Sequence, residues 1–213
     1  MKKGLTIFLL VMLLITGCSC KKEENLVIPK KETANDTSVL TSPINTKNID
    51  KYMFMENVQY VDLRSPTSIM KEGHVAGFEF IPFLSFIASF NEYDSLYRMK
   101  ATTDSAGKNI PAGQIGGFVA QYEESERIVK SLFSKDKYIF LISQAGSESS
   151  YMINLLIQLG YDGNLLYNVG GVINSEGIPS YKSITTNKYF VNGCGDVKYT
   201  FNFGILDELT PIK

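Results

Sequence analysis

Residues 138–160 constrain the fold more tightly than any other stretch of the chain. Tyr138-Ile139-Phe140-Leu141-Ile142 is an apolar run rich in aromatic and β-branched residues, bounded by charge before it and by small polar residues after it, so it reads as a buried strand. Met152, Leu155, Leu156 and Leu159 then recur at i, i+3, i+4 and i+7, which is one apolar helix face, and Gly160 stands where a glycine would stop that helix. The loop Ser143-Gln144-Ala145-Gly146-Ser147-Glu148-Ser149 is therefore expected at a strand's C-terminal end and at a helix N-terminus. The first N–H groups of such a helix have no intrahelical partner and carry the positive end of its dipole, so the loop is shaped to cradle an anion. A buried strand feeding directly into an amphipathic helix points to an α/β fold with a mostly parallel sheet and helices on both of its faces.

Upstream, Val58 to Leu63 reads as a second buried strand, followed by Ser65 as N-cap, Pro66 at the first helical position and Gly73 as a stop. Phe80-Ile81 is a short strand, and the apolar spacing over Phe83 to Met99 predicts a helix. Ala101 to Gly117, rich in Gly, Ser and Thr, reads as a loop, and Phe118 to Phe133 as a further helix. Near the C-terminus Tyr199, Phe201, Phe203 and Ile205 alternate with smaller or polar residues. With Tyr189-Phe190-Val191 and the turn pair Asn192-Gly193 they predict a β-hairpin. A chain of 213 residues, 44% hydrophobic, can build one sizeable core, and a net charge of -1 with no basic cluster argues against nucleic acid as a partner.

The N-terminus carries an address. Lys2 and Lys3 precede the apolar run Leu5 to Ile15, which is too short to span a bilayer and has the shape of a secretory signal. Ile15-Thr16-Gly17-Cys18 resembles a bacterial lipobox, which implies cleavage before Cys18 and lipidation of its thiol. The expected protein is anchored by acyl chains on the extracytoplasmic side of the cell membrane rather than spanning it. Residues 18–45, polar and poor in large apolar groups, then read as a disordered tether holding a domain about 30 Å from the lipid. Apart from Cys18, the cysteines are Cys20 and Cys194, too few and too far apart for a disulfide framework or a metal site. No cofactor is expected.

Three pieces in order, Val61-Asp62-Leu63-Arg64-Ser65-Pro66, Glu72-Gly73-His74-Val75-Ala76-Gly77 with Ile81-Pro82, and the strand and loop above with Leu159-Gly160-Tyr161 and Val169-Gly170-Gly171, resemble the rhodanese-like domain family. The resemblance covers residues 46–177, with an inserted segment at about 83–117 and a C-terminal extension from 178 to 213. In that family the loop reads Cys-x-x-Gly-x-Arg-Ser, and its cysteine carries sulfur as a persulfide. Ser143 occupies the nucleophile's place and Glu148 the arginine's, while Gly146 and Ser149 keep the frame.

These two departures change the chemistry. A thiol titrates near about 8.5 and lower at a helix N-terminus, whereas a serine hydroxyl stays protonated, needs an adjacent base to attack anything and cannot hold a persulfide. A carboxylate about 4 Å from a bound anion repels it by about 4 kcal/mol at an effective dielectric of about 20. Glu148 also has a purely local use, since an acidic residue in a first helical turn stabilises the helix. The resemblance implies supporting roles for Asp62 and Arg64, which are expected to bond each other or the loop, and for His74, expected to fix a turn.

The reading that follows is a membrane-anchored binding module, taking a protein or a small anionic ligand and lacking sulfurtransferase activity. A second reading is a sulfurtransferase that recruits another thiol, for which Cys194 is the candidate. A third, a hydrolase using Ser143 with His74 as base, lacks the Gly-x-Ser-x-Gly elbow.

Overall fold

A computed structural model of the chain describes residues 26–101, 115–173, 180–183, 188–193, 195, 198–199 and 203–213. Its centre is a sheet in which every pairing is parallel. The strands are β1 (Val58–Asp62), β3 (Glu79–Phe80), β7 (Tyr138–Ser143), β8 (Leu166–Gly171) and β10 (Lys198–Tyr199), in the spatial order β10-β3-β1-β7-β8. Among the described residues three α-helices accompany it: α1 (Pro66–Glu72), α2 (Ser125–Leu132) and α3 (Ser147–Gln158). The molecule is an α/β fold, and its order reverses between β1 and β7, so that the crevice at the carboxyl ends of those two strands is the place where an open α/β sheet binds ligands.

Pleating sorts the strand side chains into two cores. Val61, Leu63, Ile139 and Leu141 face one way, against Ile128 and Val129 of α2 and Met152, Ile153, Leu155 and Leu156 of α3. Val58, Tyr60, Phe140 and Ile142 face the other way. The helices on this second face are, among the described residues of its core, the short 3-10 turns Ile49–Tyr52 and Tyr181–Ser183. Its cover is the N-terminal segment, through Ile28, Ile44, Ile49 and Met53, together with Val75, Phe78 and Tyr181.

Residues 26–45 are accordingly no disordered tether. Ile28 and Ile44 are buried, Tyr167 donates its hydroxyl to Pro29 O at 2.9 Å, and Lys31 Nζ donates to the carbonyls of Ala34, Gly163 and Leu166 at 2.7, 3.0 and 3.1 Å. Desolvation pulls the Lys31 ammonium below its ordinary pKa, against the opposing fields of Asp36 and Asp162. Composition misled because two isoleucines suffice to anchor a polar segment whose hydrogen bonds go to the domain instead of to water.

The segment after Pro82 also departs from expectation. Phe83–Ile87 forms one wide helical turn that buries Phe83, Phe86 and Ile87, while Leu84, which the helical spacing places on the apolar face with Ile87, is exposed, and the chain then enters β4 (Ala88–Ser89) and β5 (Tyr97–Ala101). A continuous helix to Met99 is blocked locally. Ser89 Oγ accepts the Asn91 N–H at 3.0 Å and donates to Asp94, and Tyr93 adopts φ 58°, outside the right-handed helical region. β5 pairs antiparallel with β6 (Ile115–Ala120), so the expected helix 118–133 shortens to α2, and 102–114 lie outside the described residues. The resulting small sheet, β4-β5-β6, packs its Leu96, Tyr97, Met99 and Phe118 into the first core.

Among the described residues the expected C-terminal hairpin is not formed. β9 (Phe190–Val191) pairs antiparallel with β2 (His74–Val75), β10 joins β3 at the edge of the main sheet, and Phe203–Glu208 is a 3-10 helix. The described residues from Ser180 onward thus pack into the domain. Its last residues bind the small sheet, where Ile212 N–H donates to Gln121 O at 2.9 Å and Glu123 N–H to Thr210 O at 3.0 Å.

Candidate functional site

The loop 143–149 sits at the carboxyl end of β7, between the ends of β1 and β8. β7 delivers Ser143 and α3 begins at Ser147, with Gly146 at φ 92° making the turn between them. At its other end α3 closes in a Schellman arrangement: Tyr161 N–H donates to Leu156 O and Gly160 N–H to Ile157 O, both at 3.0 Å, with Gly160 at φ 82°. The helix is thereby closed at its C-terminal end, while no side chain caps its N-terminus at the loop.

Ser143 is fully buried, and its Oγ accepts the Gly146 N–H at 2.9 Å. Among the described residues no histidine, lysine or carboxylate bonds this hydroxyl. Gln144 Nε2 donates to Glu72 Oε1 at 3.3 Å, tying the loop to the end of α1. Ala145 is half-buried, Ser147 is exposed, and Glu148 is half-buried in the first helical turn. Ser149 is fully buried and its Oγ has no hydrogen-bond partner.

The supporting residues form a second layer beneath the loop. Arg64, 1% exposed, grips Asp62 through Nε at 3.0 and 3.1 Å and Nη2 at 2.7 Å, and Nη2 also donates to Gly73 O at 2.8 Å. Its remaining nitrogen, Nη1, lies 3.6 Å from Glu72 Oε2. Of the two options left open for Asp62 and Arg64, they bond each other, and Arg64 reaches the loop only through Glu72 and Gln144. His74 Nδ1 donates to Gly193 O at 3.0 Å, clasping the β9 segment, while its Nε2 is buried without a partner. Ser143 and His74 share no hydrogen bond.

Two residues of consequence escaped the sequence reading. Asn168, in β8, sends Nδ2 to Gly146 O and to Thr37 O, both at 2.9 Å, and its Oδ1 accepts the Gly170 N–H at 3.1 Å. The register of β8 against β7 slips at this point, a bulge that turns Gly170 to φ 110° beside the loop. The legible signal was an asparagine inside the apolar run Leu165 to Val169, where an amide must find partners. Glu72 is the other; only the structure shows that its carboxylate faces both Arg64 and Gln144.

No family model, curated protein or solved structure matches the chain. What the site can do rests on its own atoms.

Arg64 Nη1 and Glu72 Oε2 face each other as a buried ion pair at 3.6 Å without a hydrogen bond, and Gln144 Oε1 is buried at the base of the loop without a partner. Ser149 Oγ adds a hydroxyl from the first turn of α3. Among the described residues no group of three or more His, Cys, Asp or Glu could hold a metal ion, and no helix is long and apolar enough to cross a membrane. Three clefts of about 430, 360 and 270 Å³ lie elsewhere. Two are near Gln59 and Glu79 and one is beside Arg98 and Gln121. Cys18, Cys20 and Cys194 lie outside the described residues.

Proposed function

We propose that the chain is a rhodanese-like binding module without sulfurtransferase activity, carried outside the cytoplasmic membrane on a lipidated Cys18. The observation that carries the reading is Ser143. The residue in the nucleophile's position is a hydroxyl, fully buried and bonded to the Gly146 N–H, with no base against it. Glu148 and Glu72 give the loop carboxylates where the family's chemistry calls for a cation. The helix N-terminus and the partnerless atoms of Gln144 and Ser149 supply the hydrogen bonds for a ligand, a protein segment or a small anion.

The packing of Ile28 shortens the anchor in this reading. From Cys18 to Leu26 the chain can reach at most about 28 Å at about 3.5 Å per residue, so the domain stands close to the lipid surface.

The test is a paired assay of thiocyanate production from thiosulfate and cyanide. The wild-type chain is expected to give none, Ser143→Cys little, and Ser143→Cys with Glu148→Arg measurable turnover. Rapid turnover by the wild type refutes the reading. Incorporation of a labelled acyl chain, lost in Cys18→Ser, checks the anchor.

One contact favours the sulfurtransferase alternative. Gly193, the neighbour of Cys194, is bonded to His74, two residues from the Glu72 that holds Gln144. Turnover in the wild type that disappears in Cys194→Ser selects that reading.

A further inference from the structure

Residues 30–41 are bracketed by two buried anchors, Ile28 and Ile44, both in the second core. Between these anchors the segment runs along β8, the edge strand of the main sheet, and holds on mainly through polar contacts. At the start of β8 Lys31 Nζ caps the carbonyls of Gly163 and Leu166. Midway along it Thr37 O accepts from Asn168 Nδ2, and Ser150 Oγ of α3 donates to Thr37 Oγ1 at 2.7 Å. Val39 fills the space over Gly146 and Gly170, so that a Cβ on Gly170 would stand 2.9 Å from Val39 Cγ2 and one on Gly146 3.5 Å from Val39 Cβ.

The domain is shaped to receive this segment. Gly146 and Gly170 have positive φ and need glycine for backbone reasons. Gly163 has no such need. A Cβ there would lie 2.6 Å from Ala34 O and 2.5 Å from Asn35 Oδ1, so the absence of a side chain at 163 is explained by the close approach of the segment. The loop, for its part, depends on the same amide that the segment uses. Asn168 Nδ2 holds both Gly146 O, the carbonyl that also accepts the Ser150 N–H, and Thr37 O.

We infer that residues 30–41 are a releasable latch on the 143–149 loop: docked, they hold its flank in the observed form, and released, they free Gly146, Ser150 and Gly170. Local opening is favoured there because the stretch between the anchors has few buried apolar contacts; Leu40 is 81% exposed. The inference concerns the loop's conformation whatever it binds, so it fails or stands separately from the binding reading.

The test is amide hydrogen exchange on the full chain, without ligand, comparing wild type with Gly163→Ala. That substitution wedges the segment off just before β8, whose start lies about 7 to 13 Å of strand from the loop contacts at Asn168 and Gly170. Exchange is expected to accelerate about tenfold or more in 30–41 and, with it, in 144–150, while β1 and β7 keep their protection. Lys31→Met removes the same docking point without added bulk and gives the same pattern if Gly163→Ala folds poorly. Acceleration confined to 30–41, acceleration nowhere, or a rise in the loop no larger than that in β7 overturns the inference.

Discussion

Arg64→Met tests the layer beneath the loop. The side chain fills a fully buried position, and its guanidinium makes three contacts of 2.7 to 3.1 Å with the Asp62 carboxylate and one of 2.8 Å with Gly73 O. Methionine keeps most of the apolar stem but leaves Asp62, 1% exposed, with the Arg64 backbone N–H as its remaining donor. Removing one partner of a buried pair leaves an uncompensated charge, at a cost of about 3–5 kcal/mol. Against a total stability of about 5–15 kcal/mol this is a large fraction, equivalent to a fall in Tm of about 10 °C for a domain of this size. Denaturant unfolding of Arg64→Met, Asp62→Asn and the double variant forms the cycle. The double variant is expected to be more stable than Arg64→Met alone, because the stranded charge is gone. A loss below about 1 kcal/mol for Arg64→Met, the value of an exposed pair, refutes the reasoning. So does strict additivity of the two substitutions.

Phe140→Ala removes a fully buried ring that meets Tyr60 and Tyr167 edge-on at 5.7 and 5.3 Å, and should cost about 3–5 kcal/mol by equilibrium unfolding. Alkaline pH should destabilise the fold through its buried phenols. Burial pushes Tyr167 up to about 12 and Tyr97 and Tyr181 above their ordinary 10.0, so between pH 10 and 12 the unfolded chain ionises while the native one holds its protons. The native state then binds more protons, and stability falls as pH rises through that window. Unfolding midpoints together with phenolate absorbance check this; midpoints flat across the window would contradict it.

The unit from Tyr138 to Gly160 was legible because its signals are local and agree with one another. The apolar run became β7, the 3-4 spacing buried Met152, Leu155 and Leu156, and Gly160 closed the helix. Ser65, Pro66 and Gly73 bounded α1 for the same reason: Ser65 Oγ accepts the Ser68 N–H at 3.2 Å, and Gly73 ends the helix at φ 86°. The candidate loop was found from these signals, and Ser143 and Glu148 were read from identity alone.

Where pairing between distant segments decides, the local signals failed. Phe83 to Met99 carries a helical apolar spacing, yet β5 is held by β6 across the intervening chain. Phe190-Val191 and Lys198-Tyr199 flank a turn pair, yet their partners are β2 and β3, about 115 to 120 residues away in sequence by register. Residues 26–45 have a disordered composition, and their order comes from a surface elsewhere, through Ile28, Lys31, Thr37 and Ile44.

The sequence by itself determined the α/β character, the strand, loop and helix that form the candidate site, and the serine hydroxyl at position 143 that opens the loop. Those properties belong to a single residue or to periods of a few residues, which the backbone geometry reads directly. Tertiary structure alone decided what surrounds that loop: Arg64 reaching it through Glu72, Asn168 joining it to Thr37, and the N-terminal segment lying along its flank. Each of these is a contact between residues far apart in the chain, fixed by which surfaces must be buried together, and no local period encodes it.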